Sequence, residues 1–123
     1  MSHDILVVED DPLSALLVND LLTSRGHQVR SAATVDEAVA QLKQRRPDLL
    51  LLDVQLPGGG GQAVVKTVRA DPALASLQVV AQTALAMAGD RERILALGFD
   101  AYLSKPISLK TFFAMVDEML AKV

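Results

Sequence analysis

The chain has 123 residues, 50% of them hydrophobic and 22% charged, a length and balance that suit a single domain spanning 1–123 and leave no room for a second core. A net charge of −3 and a pI near 5.2 disfavour a basic nucleic-acid-binding face, and the lack of Cys excludes disulfides and thiolate chemistry while fitting a reducing cytoplasm. The start Met1-Ser2-His3-Asp4 has neither the basic flank nor the apolar stretch of a signal peptide, and no apolar run reaches the ~20 residues of a membrane span, so a soluble, cytoplasmic protein with no membrane contact is expected.

In chain order, Ile5 to Val8 predicts a short strand that stops at Glu9-Asp10-Asp11. Pro12 suits a first helical turn and Asp11 its cap, and Leu13, Leu16, Leu17 and Leu21 then recur at helical spacing up to Gly26. His27 to Ala33 is a weaker, alternating strand that belongs near a sheet edge. Thr34-x-x-Glu37 reads as a capping box for a helix carrying Val35, Ala38, Val39 and Leu42, which ends at Arg45-Arg46-Pro47. The leucine run Leu49 to Leu52 predicts a strand covered on both faces, and Asp53 stands where it surfaces.

Gly58 to Gly61 reads as a mobile loop beside that acid, since neither a Walker lysine nor a GxGxxG pattern accompanies it. Ala63, Val64, Val65 and Val68 mark a helix broken at Asp71-Pro72. Leu77 to Ala81 is the next strand, running into Gln82-Thr83, and a helix from about Gly89 to Leu97 stops at Gly98. Ala101 to Leu103 makes a fifth short strand before Lys105-Pro106, and Ser108 is placed to cap a last helix with the stripe Leu109, Phe112, Phe113, Val116 and Leu120. No role is assigned to His3 or His27.

Strands alternating with helices imply a parallel sheet with right-handed crossovers and helices on both faces. The loops that follow the strands then share one edge, which gathers Glu9, Asp10, Asp11, Asp53, Thr83 and Lys105. Unit like charges about 4 Å apart repel by roughly 1 kcal/mol in water and about 4 kcal/mol near a protein surface, so converging carboxylates need a counter-charge. An oxygen-only cluster suits Mg²⁺. A carboxylate nucleophile, a divalent cation, a lysine and a hydroxyl are the parts that receive a phosphoryl group, and the reaction implied is transfer to Asp53. Asp11, directly before Pro12, is read as the helix cap.

Val7-Val8-Glu9-Asp10, Asp53 with Leu56-Pro57 and Gly61, Thr83-Ala84, and Lys105-Pro106 together resemble the markers of CheY-like receiver domains of two-component response regulators. The likeness covers essentially the whole chain, and is greatest to single-domain regulators of the DivK type and to receivers of hybrid histidine kinases. It implies the flavodoxin-like (βα)5 fold with strand order 2-1-3-4-5. It also implies Asp53 as phosphoacceptor, with Mg²⁺ held by Asp10, Glu9, Asp53 and the backbone carbonyl of Gln55. Glu9, in a place often held by Asp, is long enough to reach the ion through water. Thr83 would donate its hydroxyl to the phosphoryl group, the amide of Ala84 would help hold it, and Lys105 would pair with a phosphoryl oxygen ahead of a cis peptide at Pro106. Tyr102 matches the aromatic switch position.

The same likeness implies a phosphorylation-dependent signalling switch rather than an enzyme, one that assists its own loading and hydrolysis. Its partners would be a histidine kinase or histidine phosphotransferase and a downstream effector protein. The apolar run Ala84 to Ala88 is the expected responsive segment. Two other readings compete: a receiver excised from a longer hybrid kinase or regulator, and an aspartyl-phosphate phosphohydrolase, whose D-x-D pattern meets Gln at position 55 here. Met1 directly before the first strand favours a natural start and the C-terminal side stays open. A flavodoxin-like cofactor binder is disfavoured by the acid-lined edge.

Overall fold

The computed structural model describes residues 2–56, 60–84 and 89–123, the side chain of Asp90 excepted. The expected mobility at Gly58 and the responsive run at 85–88 lie outside the described residues. The elements are β1 (Asp4–Val8), α1 (Pro12–Ser24), β2 (Gln28–Ala32), α2 (Val35–Gln44), β3 (Leu49–Asp53), α3 (Gly60–Ala70), β4 (Gln78–Thr83), α4 (Asp90–Ala96), β5 (Ala101–Ser104) and α5 (Leu109–Leu120). All strand pairs are parallel, in the order β2-β1-β3-β4-β5, which is the flavodoxin-like order expected.

Alternation of side chains along each strand builds a core on either face of the sheet. Leu6, Val8, Leu50, Leu52, Val79 and Ala81 meet Ala38 and Leu42 of α2, Val64, Val65 and Val68 of α3 and Ile94 of α4. Ile5, Val7, Leu49, Leu51, Val80 and Leu103 meet Val18 and Leu22 of α1 and Phe112 and Val116 of α5. Leu49, Leu50, Leu51 and Leu52 are each 0% exposed, as a central strand of such a sheet requires. β2 is an edge strand, as is β5, and only Ala32 in β2 is fully buried.

Four local expectations are revised. Leu13, Leu16 and Leu17 are exposed, and α1 buries Val18 and Leu22 instead, because those two point into the seam between sheet and α5. Ser108 occupies the N-cap of α5, but its side chain makes no capping hydrogen bond. Leu109 of the α5 stripe is likewise exposed. Gly60 and Gly61 are not loop but the first turn of α3. The helix has to start there because the Gly61 N–H donates to the Val54 carbonyl at 3.1 Å, bringing the two backbones together where a Cβ on Gly61 would lie 2.6 Å from the Asp53 carbonyl oxygen. The capping box holds in part: Thr34 Oγ1 accepts from Glu37 N at 3.1 Å, while Glu37 reaches back to the Ala33 N–H at 2.8 Å, one residue before the cap.

Arginines tie together the edge where the strands begin. Arg30 donates to both carboxylate oxygens of Asp4 and to the Gln41 and Arg45 carbonyls, and Arg45 reaches Asp4 at 2.9 Å. Arg46 donates to the Ala73 carbonyl at 2.8 Å. Arg69, at the end of α3, donates to the carbonyls of Gly98, Ala75 and Leu77 and to the Asp100 carboxylate. These donors satisfy carbonyls that helix C-termini and loops would otherwise leave unpaired.

Candidate functional site

The opposite edge, where the strands end, carries the acids. The register sets Val8 beside Leu52, Asp53 beside Gln82, and Gln82 beside Leu103. Continuing β1 by one residue, with the Glu9 N–H on the Ala32 carbonyl at 3.0 Å, brings Glu9 level with Asp53. Side-chain alternation puts Glu9, Asp53, Gln82 and Leu103 in one row on the face covered by α1 and α5, the face of Val7, Leu51 and Val80. Glu9 is 3% and Asp53 4% exposed, whereas Asp10 is exposed at the rim.

Lys105 continues the ladder beyond β5, its N–H donating to the Thr83 carbonyl at 2.8 Å. From there its ammonium donates to Glu9 Oε2 at 2.7 Å and to Asp53 Oδ2 at 3.5 Å. Glu9 Oε1 accepts from the Asp11 N–H at 3.1 Å, and Asp53 Oδ1 from the Gln55 N–H at 3.0 Å. Burial raises the Glu9 carboxyl above its ordinary range, against the lowering effect of Lys105 and the Asp11 N–H. Burial opposes the Lys105 charge as well, yet the Glu9 hydrogen bond and the Asp53 charge hold the ammonium above its usual value. Asp11 caps α1 through Ser14, at 3.3 Å to its N–H and 2.7 Å to its hydroxyl, and those bonds lower its carboxyl, in keeping with the cap role read from the sequence.

Ligand-capable oxygens of Glu9, Asp10 and Asp53 all lie within 4.8 Å of one another. This hard, all-oxygen set, without His or Cys, fits Mg²⁺. Thr83 is 0% exposed at the end of β4, and Ala84 follows it at the surface. Tyr102, half-buried on β5, packs against the core formed with α2, α3 and α4, the face opposite Asp53, and alternation along β4 gives Thr83 that same face. The Lys105–Pro106 peptide is cis, as expected.

Two features of the site escape a reading of sequence alone. The first is that Lys105 pairs more closely with Glu9 than with Asp53, which only the register reveals. The second is Gln82, 1% exposed beside Asp53. Its signal was one polar residue in the otherwise apolar run Val79-Val80-Ala81.

Comparison with known proteins places the arrangement. The family model described as response regulator receiver domain matches residues 5–117. The polar-differentiation response regulators DivK of Brucella anthropi and Brucella ovis are each 38% identical over 120 residues, covering 98% of this chain and 98% of theirs. Among solved structures, a putative response regulator from Chloroflexus aurantiacus J-10-fl superposes with a TM-score of 0.93 at 32% identity, covering 98% of this chain and 99% of that one. The receiver domain of sensor histidine kinase PA1611 from Pseudomonas aeruginosa PAO1, which has a magnesium ion coordinated in its active site cleft, superposes with a TM-score of 0.89 at 30% identity, covering 98% and 99%. No helix among the described residues is long and apolar enough to cross a membrane. The chain belongs to the response regulator receiver domain family, the phosphorylation-dependent switches of two-component signalling.

Proposed function

We propose that residues 1–123 act as a single receiver domain in which Asp53 accepts a phosphoryl group from a histidine kinase or histidine phosphotransferase. The observation that carries this reading is the convergence of Glu9, Asp10 and Asp53 on one point with Lys105 bonded to two of them. An Asp53 carboxylate oxygen attacks phosphorus, an O–P bond forms, and the bond from phosphorus to the donor imidazole nitrogen breaks with its electron pair leaving on nitrogen. Glu9, Asp10, Asp53 and the Gln55 carbonyl are the groups that would hold Mg²⁺. Bound there, the ion would supply positive charge against the acids and the incoming phosphoryl group.

The chain's own groups do the rest. The Gln55 N–H fixes Asp53 Oδ1, which leaves Oδ2 on the Lys105 side. Lys105 follows the incoming phosphoryl oxygens, Thr83 offers its hydroxyl and Ala84 its amide, and Tyr102 answers the displacement of Thr83. The added charge of about −1.5 to −2 is the event that effectors detect. In this reading the domain assists its own loading and hydrolysis, works in the cytoplasm and signals through contact with an effector protein.

The test is incubation with a small acyl-phosphate donor and Mg²⁺, read by intact mass on the parent and on Asp53→Asn. One phosphoryl adduct on the parent, absent from the variant and from a sample with chelator, is expected. An equal adduct on Asp53→Asn would refute the assignment.

A further inference from the structure

The row Glu9, Asp53, Gln82, Leu103 sets one neutral polar side chain between the acids and the apolar core. Gln82 is 1% exposed, and among the described residues its Nε2 is buried without a hydrogen-bond partner. The core on that face of the sheet is apolar, Leu51, Val80 and Phe112 among it, and Leu103 is the β5 neighbour of Gln82, so a leucine or methionine would suit the place without leaving a donor unmade. A buried donor with nothing to donate to is a standing cost to the fold, and its position narrows what could offset it. Gln82 flanks Asp53 on the β4 side, opposite Glu9, and neighbouring strands are about 4.8 Å apart, a gap that a carboxamide on two methylenes spans.

We infer that Gln82 is a positioning residue for the acceptor: its free carboxamide N–H is the donor that takes over the Asp53 side of the row when the lysine leaves it. In the structure Lys105 is the cation shared by Glu9 and Asp53. Once a phosphoryl group stands on the Asp53 oxygen that faced Lys105, its oxygens draw the ammonium outward, and the Asp53 side of the row loses that cation. Gln82 supplies a hydrogen bond there without adding a second cation that would compete with Lys105 for Glu9. The carboxamide touches neither donor nor leaving group and acts by holding Asp53. The inference rests on Asp53 being the phosphoacceptor.

The test compares the parent with Gln82→Met and Gln82→Leu, each incubated with acyl phosphate and Mg²⁺ and followed by intact mass, with a melting curve for every sample. The expected result is a melting temperature that holds or rises, because an unmade donor has gone, together with adduct formation slowed up to about tenfold, the upper end of what one neutral hydrogen bond is worth. Loading at the parent's rate, with only the melting temperature changed, means that the carboxamide has a packing role alone and overturns the inference. A measurement on the parent avoids dependence on the variants: the Gln82 side-chain NH₂ signals, assigned through its own backbone, are followed by NMR on adding Mg²⁺ and beryllofluoride, a phosphoryl mimic. A shift with slowed solvent exchange of one proton is expected, and signals that do not move overturn the inference. A parent that takes up no phosphoryl group overturns the reading of Asp53 itself, whereas a loaded parent with an indifferent Gln82 overturns this inference alone.

Discussion

Glu9 and Lys105, 96 residues apart in the chain, meet at 2.7 Å across the ends of β3 and β4. The glutamate side chain is 1% exposed and the lysine 23%, so the carboxylate depends on that ammonium more than the ammonium depends on it. Lys105→Met should therefore lower stability by about 1–3 kcal/mol in urea denaturation, the cost of leaving a buried charged group without its partner. In a Glu9→Gln background the same change should cost less by about 0.5–3 kcal/mol. Strictly additive effects would show that the contact carries no coupling.

Divalent cation binding should be visible as stabilisation. Glu9, Asp10 and Asp53 bring like charges within 4.8 Å, and an ion that binds only the folded state adds about 2.7 kcal/mol at a hundred times its dissociation constant. Thermal melts in a Mg²⁺ titration should rise and return with chelator. Asp10→Asn, an exposed change of little intrinsic cost, should abolish the rise. A rise that survives in Asp10→Asn would remove this residue from the ligand set.

The glycines at the start of α3 should be intolerant of a methyl group. Gly61→Ala sets a Cβ 2.6 Å from the Asp53 carbonyl oxygen and 3.0 Å from Val54 Cα, both backbone atoms unable to swing aside. The expected loss is about 2–3 kcal/mol, at the upper end for overpacking, with slower phosphoryl loading because Asp53 itself is pushed. Gly26→Ala provides the contrast. Gly26 has φ 84°, and a Cβ there would meet none of the described residues within 4 Å, so only left-handed strain of about 1–2 kcal/mol opposes the methyl group, and loading should be unchanged.

His27 should make stability fall on mild acidification. Burial, then the neighbouring His3, hold its imidazole below the ordinary value, and its Nδ1 accepts the His3 backbone N–H at 3.3 Å, a bond that protonation would break. Asp117 favours the charged form and Arg25 opposes it. Because the folded value lies below the unfolded one, near about 6.5, the unfolded chain takes up the proton first. The contribution is complete above about pH 6.5 and declines as pH falls from there through the folded value. His27→Gln should flatten this part of the curve in denaturation between pH 7 and 5. An unaltered slope would contradict it.

Much of this was legible before any coordinates. The leucines at 49–52 suit a doubly covered strand better than a half-exposed one, which would alternate apolar and polar residues. Asp53, Asp10 and Lys105 follow from the rule that strand ends share an edge. What could not be read is pairing across the sheet. The register that puts Gln82 beside Asp53 and Lys105 onto Glu9 is set by contacts between residues far apart in sequence. Leu13, Leu16 and Leu17 misled for a related reason: periodicity shows that a helix has an apolar stripe, while docking decides which residues it buries. Gly60 and Gly61 misled because a tight backbone approach and a slack loop call for the same residue type.

The arginine fastening of the strand-start edge bears on how any change at the other edge could be observed. With Arg30 and Arg45 on Asp4, and Arg69 joining α3 to β4 and to the turn before β5, that side has the properties of a fiducial base. A spectroscopic label placed near Asp4 or Asp100 would then share its displacement with the whole sheet, so that a distance measured from it to the Thr83 side records any displacement of that end alone.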